Sequence, residues 1–169
     1  MPVNIEIKAR VHDFVALRKK AEHLSDAPCQ VIPQEDTFFN CPHGRIKLRE
    51  LSPQYGQLVY YLRKDAAGPK HSDYKIFETD NPTELKLILA QAYGMRGVVS
   101  KVRYLYMVGQ TRIHLDDVLG LGKFIELEVV LRPDQTDEQG QAIALDLMRK
   151  LGIQETDLIE GAYMDLMEK

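Results

Sequence analysis

Hydrophobic and polar residues alternate with period two over Val3 to Val11, Gly44 to Glu50, Gln57 to Lys64, Asp73 to Glu78, Val98 to Val108, Thr111 to Val118 and Lys123 to Leu131. That spacing belongs to strands with two unlike faces. An extended run over Gln30 to Phe39 brings the predicted strands to eight. Helical spacing interrupts them. Phe14, Leu17, Ala21 and Leu24 form a stripe behind Asp13. Asn81-Pro82-Thr83-Glu84 supplies an N-cap, a first-turn proline and a capping glutamate, with Gly94 past the end. Thr136 and Gln139 repeat the cap ahead of Ile143, Leu147 and Leu151, Gly152 closes that helix, and a last short helix is expected over Leu158 to Met167. Most strands follow one another directly or through one helix, so an antiparallel sheet in a single α+β domain is predicted. Eight strands suffice to close a barrel with a usable interior.

The alternation separates charge from apolar bulk. Glu6, Lys8 and Arg10 alternate with Ile5, Ile7, Ala9 and Val11, and Arg45, Lys47 and Arg49 with Ile46 and Leu48. Lys101 and Arg103, then Arg112, His114 and Asp116, then Glu126 and Glu128 follow the same rule on three further strands. A charged face normally meets water. Such faces mix signs and include Ser, Thr, Asn and Gln, whereas here strongly basic strands stand beside one purely acidic pair. If helices cover the apolar face, the charges line a concave surface, where like charges are intolerable without a partner. For Lys and Arg on several strands that partner is a polyanion: Arg offers a planar fork to two phosphate oxygens and Lys a compact charge. The glutamates would repel such a ligand unless a hard divalent cation bridged carboxylate and phosphate oxygens.

Composition narrows the partners. The chain has 169 residues, 44% hydrophobic and 28% charged, with a net charge of −3. That balance argues against a sequence-independent nucleic-acid binder, which carries a broad basic surface. No stretch approaches the apolar length of a membrane helix, and MPVNIEIKAR lacks the layout of a secretory signal, so no membrane partner and a cytoplasmic location are expected. Cys29 and Cys41 form no metal-ligand pattern and are expected to be reduced thiols.

Several of these segments together resemble the CYTH, or triphosphate tunnel metalloenzyme, superfamily, which includes class IV adenylyl cyclases and thiamine triphosphatases. Ile5-Glu6-Ile7-Lys8 is similar to the end of its ExExK signature, Asp36-Thr37-Phe38-Phe39 to its second-strand motif, and Arg45-Ile46-Lys47-Leu48-Arg49 to the basic strand that follows. Tyr61-Leu62-Arg63 and Lys101-Val102-Arg103 resemble later strands with inward cations. Arg112 to Asp116, Leu121-Gly122 and Phe124 to Glu128 resemble the acidic metal-binding end, and Gly161 to Leu166 the closing motif. The first glutamate of the signature falls at Asn4, which keeps a carbonyl oxygen but removes one negative charge from the metal site.

The resemblance implies a closed eight-stranded antiparallel β-barrel with flanking helices, a tunnel acting on tripolyphosphate, a nucleoside triphosphate or thiamine triphosphate. Two reactions are implied: attack of water on the terminal phosphorus, or attack of the ribose 3′-hydroxyl of ATP on the α-phosphorus to give cyclic AMP and pyrophosphate. Non-catalytic sensing of polyphosphate or nucleotide is a third expectation, raised by Asn4. Phosphate ligands are then expected at Lys8, Lys47, Arg49, Arg63, Lys101, Arg103 and Arg112, with Lys8, Arg63 and Glu128 catalytic. Mg²⁺ or Mn²⁺ is expected on Glu6, Glu126 and Glu128, with Asp116 a fourth carboxylate. Arg10, Arg45 and Lys75 stand open between lumen and surface, and His114 is expected to be a hydrogen-bonded interior histidine. Tyr60, Tyr61, Tyr104 and Tyr106 give no convincing adenine pocket, which favours hydrolysis over cyclisation. The chain is expected to act as a monomer or homodimer.

Overall fold

A computed structural model describes residues 2–63 and 66–168. Eight strands form one closed barrel: β1 (Val3–Arg10), β2 (Gln30–Phe39), β3 (Arg45–Ser52), β4 (Tyr55–Arg63), β5 (Lys70–Thr79), β6 (Met95–Val108), β7 (Thr111–Val118) and β8 (Gly122–Val130). Every neighbouring pair is antiparallel, in the circular order β1-β5-β4-β3-β2-β6-β7-β8. The expected end of β4 at Lys64 lies outside the described residues.

The main hydrophobic core sits outside the barrel. Helices α1 (Phe14–Leu24) and α3 (Asp137–Leu151) cover the outer faces of β1, β6, β7 and β8. Ile5, Ile7, Ile113, Leu115, Ile125 and Leu127 pack there with Ala21, Ala144, Leu147 and Leu151. Each Ile or Leu among them contributes about 1.5–3 kcal/mol on burial, so the outward apolar positions hold the sheet and leave the inward ones free for charge. Helix α2 (Pro82–Tyr93) covers a smaller cluster of Phe39, Leu48 and Leu89.

The three predicted N-cap side chains accept their bonds, but Asn81 N donates to Thr79 Oγ1 at 3.1 Å rather than to the expected capping Glu84. The Asp13 carboxylate accepts from Ala16 N at 3.0 Å, and Asn81 Oδ1 from Glu84 N at 3.2 Å. Thr136 and Gln139 close a reciprocal capping box, and Gly152 ends α3 with φ +73°.

The expected helix over Leu158 to Met167 is shorter. A 3₁₀ turn occupies Glu155–Asp157, Leu158 then bridges Ala9 in extended form, and Ile159 N donates to Lys8 O at 3.0 Å. Gly161 takes φ +78° and only Tyr163–Met167 (α4) is helical. Pairing with β1 competes with helix there and wins, because β1 offers backbone partners at the barrel rim. Among the described residues no helix is long and apolar enough to cross a membrane.

Candidate active site

Parity decides what enters the barrel. Glu6 and Lys8 on β1, Lys47 and Arg49 on β3, Arg63 on β4, Lys101 and Arg103 on β6, Arg112 on β7 and Glu126 and Glu128 on β8 all line a single cavity of about 210 Å³. Asp36 on β2 and His114 on β7 line it as well. The seven expected phosphate ligands therefore converge on one space. Arg10 lies outside it, exposed beside the Phe124 ring, and Lys75 is exposed on the outer face. Arg45 is not in the cavity lining either and binds Asp165 at 2.6 Å.

One half of the cavity is basic and organised by Asp36. This carboxylate is 1% exposed and accepts both Arg49 Nε and Nη2 at 2.9 Å, Lys101 Nζ at 3.1 Å, and the charge of Lys47 at 3.7 Å. Burial raises its pKa, yet Arg49, Lys101 and Lys47 together hold it well below the carboxylate range. Burial and the neighbouring guanidiniums pull in the other direction on the lysines: Lys101 falls to about 8 and Lys47 lies well below its ordinary value. Lys101 is buried, Lys47 and Arg49 are half-buried, and all three share this one carboxylate. Sequence reasoning placed Asp36 in a motif without giving it a role; the signal available was a lone acid on the β2 face opposite basic β3.

The other half is acidic. Glu6 stands directly across from Glu128, Lys8 from Glu126, and His114 from Glu126 in the strand register. Ligand atoms of His114, Glu126 and Glu128 lie within 4.8 Å of one another. Burial, then the charges of Glu6 and Glu126, push the Glu128 carboxyl up to about 7. Burial and Arg103 bring His114 down to about 4, so its imidazole is neutral and a lone pair is available. Asn4, 3% exposed at the same end of β1, keeps an Oδ1 with no hydrogen-bond partner. Repelling carboxylates, a neutral imidazole and an orphaned amide oxygen are a donor set that fits a divalent cation. Glu6 is shared, since its Oε2 accepts Arg63 Nη1 at 3.0 Å.

Asp116 departs from its expected place as a fourth metal carboxylate. It is fully buried behind Arg103, whose Nε and Nη2 donate to its two oxygens at 2.8 and 2.9 Å, and Tyr163 Oη donates to it at 2.8 Å. Its oxygens are spent on holding Arg103, and against burial the charge of Arg103, then that of Lys101, holds its pKa far below normal. His114 takes the position by the glutamates that the sequence left to an interior histidine. It shares a pleat face with Arg112 and Asp116, and its cross-strand neighbour Glu126 was the missing clue.

The C-terminal segment shuts part of the cavity. Ala162 and Tyr163 line it, with Lys8 Nζ 4.1 Å and Lys101 Nζ 5.1 Å from the centre of the Tyr163 ring. Asp165 ties this segment to β3 and β6 through Arg45 and Arg96, at 2.6 and 2.7 Å. Of the tyrosines considered for stacking, Tyr61 lines the cavity, whereas Tyr106 packs outside with Arg18 on its hydroxyl and Tyr104 against Phe14.

A closed antiparallel barrel with an outward hydrophobic core and a lumen divided between cations and carboxylates defines a tunnel-type protein. The CYTH domain family model matches residues 3–163, and the chain belongs to that family. Among solved structures it is similar to the PH1012 protein of Pyrococcus horikoshii OT3, with 27% identity, a TM-score of 0.83, and coverage of 96% of this chain and 98% of that one. It also shares its fold with a candidate adenylate cyclase from Vibrio parahaemolyticus (17% identity, TM-score 0.77, 98% of each chain). A third is HpAC1 of Hippeastrum, a candidate adenylyl cyclase with a dominant triphosphatase activity (16%, 0.66, 90% of this chain and 89% of that one). No curated protein sequence matches the chain.

Proposed function

We propose that the chain is a divalent-metal-dependent triphosphatase that cleaves the terminal phosphate of an inorganic or organic triphosphate. The observation that carries this reading is the convergence of seven lysines and arginines with a His114-Glu126-Glu128 cluster in one cavity. Lys47, Arg49 and Lys101 form the basic half that a polyphosphate chain would neutralise, and Arg63, Arg103 and Arg112 extend the clamp across the lumen. Phosphoryl transfer asks mainly for positioning and charge neutralisation, which such a lattice supplies.

Glu126, Glu128 and His114, with Glu6 beside them, would hold Mg²⁺ or Mn²⁺. The cation would supply neutralisation of the phosphoryl oxygens and polarisation of the scissile bond. Lys8 stands over the acidic cluster, 3.5 Å from Glu126, and its pKa is lowered by burial and by Arg63. It is placed to neutralise the oxygens of the reacting phosphate. Water attacks the terminal phosphorus, the bond from that phosphorus to the bridging oxygen breaks, and orthophosphate leaves with the shortened phosphate as the second product. The triphosphatase activity of the similarly folded Hippeastrum protein agrees with this reading.

Incubation with ATP, tripolyphosphate or thiamine triphosphate, with Mg²⁺ or Mn²⁺, and chromatographic separation of the products tests it. Orthophosphate is expected. Cyclic AMP with pyrophosphate would assign the cyclase reaction instead, and tight binding with unchanged substrate would assign a sensor.

A further inference from the structure

The lumen charge is not spread evenly around the barrel. Charge lines the cavity from β1, β2, β3, β6, β7 and β8, whereas β4 contributes it only at its last position, Arg63, and on β5 the charged residues of inward parity, Lys70 and Glu78, stand near the two ends of the strand. Between those ends the cavity-lining residues of β5, and those of β4 before Arg63, are uncharged. The register pairs Val59 with Ile76 and Tyr61 with Tyr74, which makes one continuous apolar and aromatic wall. Val59 and Tyr61 are 8% and 6% exposed, but Ile76 is 49% exposed although it lines the cavity, so the wall runs out to the mouth.

We propose that this β4–β5 wall seats the organic group esterified to the triphosphate, with Tyr74 and Ile76 setting the preference for an organic over an inorganic substrate. The inference rests on the triphosphatase reading and adds a specificity surface to it. Tripolyphosphate is charged along its whole length and gains nothing from an apolar wall. A planar ring removes that wall from water and is stabilised in proportion to the apolar area covered. The wall also lies beside the clamp. Lys47 Nζ is 5.3 Å and the Arg63 guanidinium 5.4 Å from the centre of the Tyr61 ring, so a phosphate held by these cations carries its ester oxygen to the wall's edge. Among the described residues the buried Nε and Nη2 of Arg63 have no hydrogen-bond partner, so two donors remain beside the Nη1 that Glu6 holds, and they face the phosphate chain next to the wall. Val59, Tyr61, Tyr74 and Ile76 carry no charge, so these four meet the ring by its faces.

The test is the ratio of kcat/KM for ATP to that for tripolyphosphate, in the wild type and in Ile76→Asn. Ile76 is half exposed, so the substitution leaves folding intact. The wild-type ratio is expected to exceed one and to fall about tenfold in the variant, the loss of one apolar contact. A wild-type ratio below one, or a ratio unchanged by Ile76→Asn, overturns the inference and leaves the triphosphatase reading standing. If neither compound is hydrolysed, the triphosphatase reading falls, and the same ratio taken from dissociation constants by calorimetry decides the inference by the same two criteria.

Discussion

Glu128 carries an electrostatic cost in the lumen, and that cost has a pH signature. Its folded pKa of about 7 stands above the ordinary 4.5 because burial and two neighbouring carboxylates oppose its ionisation. A group whose folded pKa is raised contributes stability below its unfolded pKa and loses it as pH rises through the folded value. Between pH 5 and 8 the metal-free protein should therefore lose about 2–3 kcal/mol through this residue. Glu128→Gln has no proton to lose. Urea unfolding at the two pH values should show a drop smaller by that amount in the variant, and parallel profiles would remove the repulsion from the account. Asp116 should behave in the opposite way. Asp116→Asn breaks a buried bidentate pair with Arg103 and should cost about 3–5 kcal/mol of unfolding free energy, while Mn²⁺ affinity, measured by titration, stays within about threefold. A loss of metal affinity of a hundredfold would return Asp116 to the ligand set. The sequence showed that both acids are inward but not which partner each meets. Pleat parity is a property of one strand, whereas the pairing of Asp116 with Arg103 and of Glu126 with His114 depends on the register of neighbours.

At the scale of elements, α3 on β1 shows how the apolar face keeps the charged one inward. Gly140 brings the helix so close that an added Cβ would come within 2.5 Å of Leu131 Cδ2 and 2.6 Å of Ile5 Cγ1. Gly140→Val should cost about 1–3 kcal/mol by overpacking, seen as a lowered urea midpoint. An unchanged midpoint would mean that this contact yields freely. The elements were largely legible beforehand, because period-two alternation, Asn81-Pro82 and Thr136 with Gln139 are local signals that burial did not overrule. The bounds of β2 and β7 agree residue for residue. The C-terminal stretch was misread for a physical reason: Leu158 and Ile159 have helical company in sequence, but the β1 rim supplies hydrogen-bond partners that no local pattern reveals. Closure of the barrel likewise came only from the resemblance. It depends on β1 meeting both β5 and β8, a long-range event with no signature in alternation.

For the molecule as a whole, inside and outside are reversed relative to a small water-soluble barrel filled by apolar side chains. Apolar residues hold helices against the outer wall, and the lumen gathers cations that lack enough carboxylates of their own. Like charges gathered in such an interior repel one another, and under the proposed function a polyanion with a divalent cation would offset that repulsion. The three cations on Asp36, the raised Glu128 and the orphaned Asn4 oxygen are the features that support the proposed binding of a polyanion with a divalent cation. The most direct test is orthophosphate release from tripolyphosphate by the purified chain with Mn²⁺, with EDTA, and by Glu128→Gln with Mn²⁺. The account predicts multiple turnovers in the first case and rates at least about a hundredfold lower in the other two, the scale set by losing a metal that stabilises transition-state charge. Full turnover in the presence of EDTA, or by Glu128→Gln, would contradict it.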